Sequence, residues 1–200
     1  MNRILLYILR VSDKHCLIGK CKMLFLERIR ILLDLQKLTG AQSKTIHDLV
    51  KLGLIESRKI DELINEMVKD RFKKGKAYIE FTSKLNINSP EEQTHIVSRN
   101  YYGIYHLARA VVFYTSRTDV KDHKPLSDEF TKIVKLDKTK AEFIAEKLAK
   151  WREIRNNVDY EPYLPYDIVK ICEESNSDAR KILDICEQYL KERGVNLENC

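Results

Sequence analysis

The chain has 200 residues, of which 44% are apolar and 33% charged, so its composition is that of a globular protein and not of a disordered one. It contains only 6 Gly and 4 Pro, too few for the many tight turns of an all-β fold, and this favours long helices. Lys and Arg outnumber Asp and Glu by 36 to 30, a net charge of +6 that permits polyanion binding without requiring it.

The N-terminal quarter, residues 1–55, is predicted to be a helical extension. Arg10 and Asp13 interrupt the opening apolar run, so we expect neither a signal peptide nor a membrane-spanning segment. One helix is predicted in KMLFLERIRILLDLQKL, and a short one begins near Ser43. The protein is accordingly expected to be cytoplasmic, with no membrane partner.

The five cysteines are widely spread along the chain. Cys16 and Cys21 lack a second pair of ligands for zinc, and Cys172 and Cys186 lie too far apart along one helix for a disulfide. We therefore expect reduced thiols, no metal site and no cofactor.

Four helical patterns make up residues 56–193, followed by a short tail, 194–200. In the first, 56–85, the basic stretch KDRFKKGK is predicted to face solvent. The apolar stripe on either side of it consists of Ile60, Leu63, Ile64, Met67, Tyr78 and Phe81. Ser89 and Pro90 then begin the second helix, about 90–115, as N-cap and first helical residue. Its predicted core stripe is Val97, Tyr101, Ile104, Ala108 and Val111.

A polar loop, TSRTDVKDHKPLSDEF, is predicted before the third helix, about 138–158. That helix repeats its apolar positions at Ala141, Ile144, Leu148 and Trp151, and the same rhythm continues to Arg155 and Val158. The last helix, about 166–193, has its stripe at Ile168, Ile171, Ser175, Ala179, Ile182, Cys186 and Tyr189. Long helices with short connections predict an all-α, antiparallel up-and-down bundle.

An arginine on an apolar stripe is costly unless it is paired or faces a wet cleft. Asp159 lies four residues after Arg155, on the same helix face, and the pair Glu161-Pro162 ends the helix just beyond. One interpretation is an Arg155–Asp159 ion pair that holds the helix end, with Tyr160 packed over it. The other is a guanidinium placed at a groove to bind a phosphate, together with Asn156. Spacing alone favours the first.

Two stretches of the chain, SRNYYGIYHLARAVVFY and REIRNNVDYEPY, together resemble the HEPN family, the higher eukaryote and prokaryote nucleotide-binding domains. The similarity is to its small stand-alone prokaryotic members and covers residues 56–193. The residues that match the two signatures are Ser98, Tyr101, Tyr102, Tyr105 and His106 in the first, and Arg155, Asp159 and Tyr160 in the second, with Val158 in the small-residue place.

The resemblance implies a bundle of four to five helices that forms a homodimer, with the arginine motifs of two protomers lining one cleft. It further implies binding of RNA or a nucleotide through Arg155, Asn156, Asp159, Tyr160, Ser98 and Tyr102. Many members are metal-independent ribonucleases, often toxins paired with a minimal nucleotidyltransferase antitoxin.

The chain departs from the catalytic pattern of the family, in which four to six residues separate the arginine from a following histidine. Tyr160, Glu161 and Pro162 occupy those places here. Histidine exchanges protons near neutral pH, whereas tyrosine has an unperturbed pKa of about 10. Of the remaining histidines, His106 is expected at a helix–helix or dimer contact and His123 in a loop.

Three hypotheses follow. The first is a HEPN-type module that binds a nucleotide or RNA, or docks a nucleotidyltransferase, without catalysis. The second is an active endoribonuclease in which Arg155 stabilises the transition state and Tyr160, Asp159 or a loop histidine transfers protons. The third is a structural bundle in which the ion pair only holds the helix end.

Overall fold

The structure, a computed structural model, describes residues 48, 51–53, 57–117, 119–120, 123–161, 163–165 and 167–198, without the side chains of 57–60 and 123–125. The helix predicted in residues 22–38 lies outside this part of the chain, as does most of the one predicted from Ser43. Two compact units are distinguished, residues 1–64 with 117–119 and residues 65–116 with 120–200. The bundle contacts and the site described below belong to the second unit.

The described chain forms five helices and contains no strand. They are α1 (Ser57–Thr82), α2 (Pro90–Ser116), α3 (His123–Ile133), α4 (Lys138–Tyr160) and α5 (Ile168–Lys191). The predicted all-α bundle is therefore confirmed. None of the described helices has the length and apolar character needed to cross a membrane.

The four long helices alternate in direction. Thr82, at the end of α1, bonds to Asn100 in the first half of α2, whereas Arg71, three turns earlier on α1, lies over the Phe113 ring near the end of α2. Contacts between α4 and α5 run in opposite senses too, since Lys147 pairs with Asp178 and Lys150 with Glu174. These contacts confirm the antiparallel arrangement.

Helix α2 is the central element, because it contacts α3, α4 and α5 and also packs against α1. All five residues of its predicted core stripe are buried. Glycines allow α1 and α2 to approach closely: a Cβ added at Gly75 would lie 2.9 Å from the carbonyl oxygen of Gly103 and 2.9 Å from Leu107 Cγ. Little beyond a hydrogen atom fits at that point of the contact.

The ends of the helices follow local side-chain chemistry. As predicted, α2 begins at Pro90 after Ser89, whose carbonyl accepts from the backbone N–H of Glu92 and Gln93. Asp137 and Asp167 cap α4 and α5, each accepting a hydrogen bond from a backbone N–H three residues later. At the other end of α4, Glu161 takes an extended conformation (φ −98°, ψ 131°), as expected for a residue before proline.

A buried polar cluster joins α1, α2 and α5 around Asn100, which is 1% exposed. Thr82 Oγ1 donates to the Asn100 side-chain oxygen at 2.6 Å. The Asn100 amide nitrogen donates to Ser175 Oγ at 3.0 Å and to Asn176 Oδ1 at 2.8 Å. A buried amide satisfied on both sides specifies one register between these three helices.

Several predictions about the faces of the helices and the loop before α4 are wrong. Arg71, in the basic stretch expected to face solvent, is only 6% exposed because its guanidinium lies 4.6 Å from the centre of the Phe113 ring. Phe81, placed on the α1 stripe, is 48% exposed. The polar loop contains α3, whose Leu126 and Phe130 are buried, and His123 is the first residue of that helix.

The two described cysteines, Cys172 and Cys186, are buried and unbridged, as predicted. Burial raises the pKa of the Cys172 thiol to about 11 and that of Cys186 to about 12. On α5 it is Cys172, not Ile171, that occupies the buried position at the start of the stripe.

We predict that Gly75→Ala destabilises the bundle even though alanine is the better helix former. Overpacking against backbone costs about 1–3 kcal/mol, which exceeds the helix-propensity gain of about 1 kcal/mol. The matched control is Ala77→Gly on the exposed face of α1, where the propensity loss of about 1 kcal/mol acts alone. In urea unfolding, both Gly75→Ala and Ala77→Gly should therefore have a lower free energy of unfolding than the wild type. A more stable Gly75→Ala protein would contradict the close approach.

We also predict that Asn100→Ala lowers the free energy of unfolding by about 2–4 kcal/mol, because it leaves a cavity and buried partners without their bonds. Asn176→Ala removes a single, partly buried bond of the cluster, and should cost about 1 kcal/mol. Both are measured by urea unfolding with equal slopes. Equal losses for the two variants would contradict the central place of Asn100 in the cluster.

Candidate site between helices α2 and α4

The candidate site lies where the C-terminal turns of α4 pack against the N-terminal half of α2. The buried residues at this end of α4 are Trp151, Ile154 and Val158. Their burial places the adjacent edge of α4 against α2. Arg155 lies on this edge, and its side chain is only 14% exposed. The predicted position of Arg155 at the margin of the apolar stripe is therefore what the structure shows.

Both terminal nitrogens of the Arg155 guanidinium donate hydrogen bonds within the chain, whereas Nε takes part only in an ion pair. Nε lies 3.0 Å from Asp159 Oδ2, in the predicted ion pair. One terminal nitrogen donates to Asn156 Oδ1 at 2.8 Å, and the other donates to the hydroxyl of Tyr102 on α2. The guanidinium carbon also lies 5.0 Å from the centre of the Tyr102 ring and 5.8 Å from that of Tyr101.

These contacts favour the charged form of Arg155 although its side chain is largely shielded from water. Burial lowers the pKa of Arg155, but the hydrogen bond with Tyr102 and the charge of Asp159 outweigh it, and the net pKa is raised. Beside it, burial raises the pKa of Tyr101, so Tyr101 acts as a neutral aromatic wall. An ion pair with bonded partners is tolerated where a lone buried charge is not.

The structure brings most of the sequence-predicted site residues together. Ser98 on α2 donates to Asp159 Oδ2 at 3.4 Å, so Ser98, Tyr102, Arg155, Asn156 and Asp159 form one connected set across the two helices. Tyr160 is the exception. It is 75% exposed and does not cover the ion pair, so the prediction that it packs there is wrong.

The two histidines considered from the sequence lie elsewhere. His106 is half-buried further along α2, and its ring stacks on Tyr78 of α1 with centroids 5.9 Å apart. This agrees with the expected helix–helix contact. His123 begins α3.

A pocket of about 320 Å³ lies beside Arg155. It is lined by Thr94, His95, Ser98, Arg99, Tyr102, Val158 and Asp159. His95 and Arg99 were not singled out from the sequence. The signal was their spacing, since 95, 99 and 102 recur at four and three residues and share the helix face of the tyrosine signature.

The polar groups of the pocket are of two kinds. Arg99, His95 and the hydroxyls of Thr94 and Ser98 can donate to an anion, whereas Asp159 only accepts when ionised. Such a set suits a ligand that carries both a negative charge and a hydroxyl group. Within the described residues, no group of three or more His, Cys, Asp or Glu side chains is arranged to hold a metal ion.

No protein-family model matches the chain, and no curated protein or solved structure matches it either.

We predict that Tyr102→Phe lowers the free energy of unfolding by about 1–2 kcal/mol, because a charged donor in a half-buried place loses its acceptor. The matched control is Tyr160→Phe, where the hydroxyl is on a 75% exposed side chain, and a change within about 0.5 kcal/mol is expected. Thermal unfolding of both variants tests this. Equal stability of the two would mean that the Tyr102–Arg155 bond contributes nothing to the fold.

Proposed function

We propose that this chain is a HEPN-type bundle that binds RNA or a nucleotide at the junction of α2 and α4. The observation that supports it most is the contact of Arg155 with Tyr102. The two stretches that resemble the family, 98–106 and 155–160, are 49 residues apart at their nearest ends in the sequence. They meet at a pocket that neither stretch forms alone.

The chemistry of the site agrees with a phosphate-bearing ligand. A guanidinium has five N–H donors. The hydrogen bonds to Asn156 and Tyr102 use one from each terminal nitrogen, and Nε lies in the ion pair with Asp159. Each terminal nitrogen therefore keeps one further N–H. Arg155 does not itself line the pocket, but it bonds to Tyr102 and pairs with Asp159, which do, and a guanidinium is well suited to bind a phosphate.

A second candidate function, metal-independent cleavage of RNA, is favoured by one observation. His95 lines the pocket together with Asp159, so a histidine side chain is present at the site although α4 carries none after Arg155. Histidine is the side chain best suited to accept and return a proton near neutral pH. In that case α2, not α4, supplies the proton-transfer group.

The same proposal includes the partners that the resemblance implies. We propose that the bundle forms a homodimer and that, as the HEPN half of a toxin–antitoxin pair, it docks a minimal nucleotidyltransferase. Sedimentation of the purified protein over a range of concentrations tests the first part, and a monomer throughout would remove it.

The proposal is tested with a labelled single-stranded RNA in chelator, reading binding and cleavage from the same samples. Arg155→Ala is expected to weaken binding about tenfold or more, as for loss of a charge-assisted hydrogen bond, and wild-type affinity should fall steeply with salt. Arg180→Ala, an exposed site on α5 outside the pocket, is the matched control for loss of charge.

The outcomes separate the three hypotheses. If the protein binds RNA and leaves it intact, the result supports a binding module. If the protein cleaves RNA and His95→Ala abolishes the cleavage, the result supports the second candidate. Arg155→Ala that only lowers the melting temperature, with no RNA bound by the wild type, leaves the ion pair as a purely structural device and removes the proposal.

A further inference from the structure

The donors in the pocket that remain available to a ligand come from α2. Arg99 is exposed, and its guanidinium lies 5.6 Å from the centre of the Tyr78 ring. It forms no ion pair with any residue that the structure describes. His95, one turn earlier on the same helix face, is also exposed. Both side chains line the pocket.

Arg155 has a different position. Its side chain is 14% exposed, both of its terminal nitrogens already donate within the chain, and its Nε lies in the ion pair with Asp159. A ligand phosphate would meet Arg99 and His95 before it meets Arg155, since those two carry no competing carboxylate in the described part of the chain. Arg155 thereby acts on the pocket mainly through the residues that it positions, Tyr102 and Asp159.

Asp159 contributes an acceptor whose charge is compensated. Its Oδ2 lies 3.0 Å from Arg155 Nε in the ion pair and accepts a hydrogen bond from Ser98 Oγ at 3.4 Å. The ion pair reduces the repulsion that the carboxylate would exert on a phosphate. Its other oxygen has no hydrogen bond from the described residues and can accept one from a sugar hydroxyl.

We infer that the pocket between α2 and α4 binds one ribonucleotide unit of single-stranded RNA, with its phosphate on Arg99 and His95 and its 2′-hydroxyl on Asp159. The volume of about 320 Å³ lies at the lower end of the range of small-ligand sites. A 2′-hydroxyl is the group that distinguishes RNA from DNA, so the site discriminates between them. This inference rests on the proposed function and assigns its ligand class.

The experiment compares two labelled ten-residue single strands of the same base sequence, one RNA and one DNA, by fluorescence anisotropy in chelator. Proteins are the full chain and its Arg99→Ala, His95→Ala and Arg180→Ala variants. Wild type is expected to bind RNA about tenfold more tightly than DNA, the effect of one good hydrogen bond to a charged group.

Arg99→Ala should weaken RNA binding about tenfold and reduce the slope of log affinity against log salt by about one. His95→Ala should weaken it by a smaller factor, and Arg180→Ala should leave the wild-type affinity nearly unchanged. Because Arg99 and His95 are exposed, their variants should keep the wild-type melting temperature, which separates lost binding from lost folding.

Two results would overturn the inference while leaving the proposed function standing: RNA binding that depends on Arg155 but not on Arg99 or His95, or equal affinity for RNA and DNA. A wild-type protein that binds neither strand would overturn both. RNA preference that depends on Arg99, with Arg180→Ala unchanged, supports the ribonucleotide site.

Discussion

The buried amide of Asn100 is the constraint on which the rest of the bundle depends. It is bonded to α1 through Thr82 and to α5 through Ser175 and Asn176, so sliding or rotating any of the three helices would break bonds that no water can replace. Arg99 and Asn100 are consecutive on α2. The rotation of α2 that the Asn100 bonds fix therefore also determines which side chains of this helix face α4. The contact of Gly75 with Gly103 then sets how closely α1 approaches.

The candidate site depends on a second constraint: the charge of Arg155 must be compensated because its side chain is partly buried. Asp159 compensates the charge and Tyr102 accepts from the guanidinium across the helix contact. The two interpretations offered by the sequence are therefore not exclusive. The same ion pair that holds the end of α4 also moderates the charge of Asp159 beside the pocket, which leaves Arg99 and His95 as the groups most accessible to an anion.

Much of the fold could be predicted because the dominant signal is periodic. The stripes of α2 and α4 were identified correctly since apolar residues at three- and four-residue spacing bury one helix face whatever the neighbour is. The predictions failed where the burial of a side chain depends on one particular residue of another helix. Arg71 is buried because Phe113, 42 positions later in the chain, offers an aromatic face. Helix α3 was missed because its apolar positions are few and lie in a polar stretch.

The sequence by itself determined that the protein is all-α, where α1, α2, α4 and α5 run, and that Arg155 lies beside Asp159 on one helix face, because these are properties of a single helix. Only the tertiary structure decided that Tyr102 is the third partner of Arg155 and that His95 and Arg99 line the same pocket as Asp159. Those contacts join residues of two helices that are more than 50 positions apart in the chain. Their pairing follows from packing and from the buried bonds of Asn100, which no local pattern specifies.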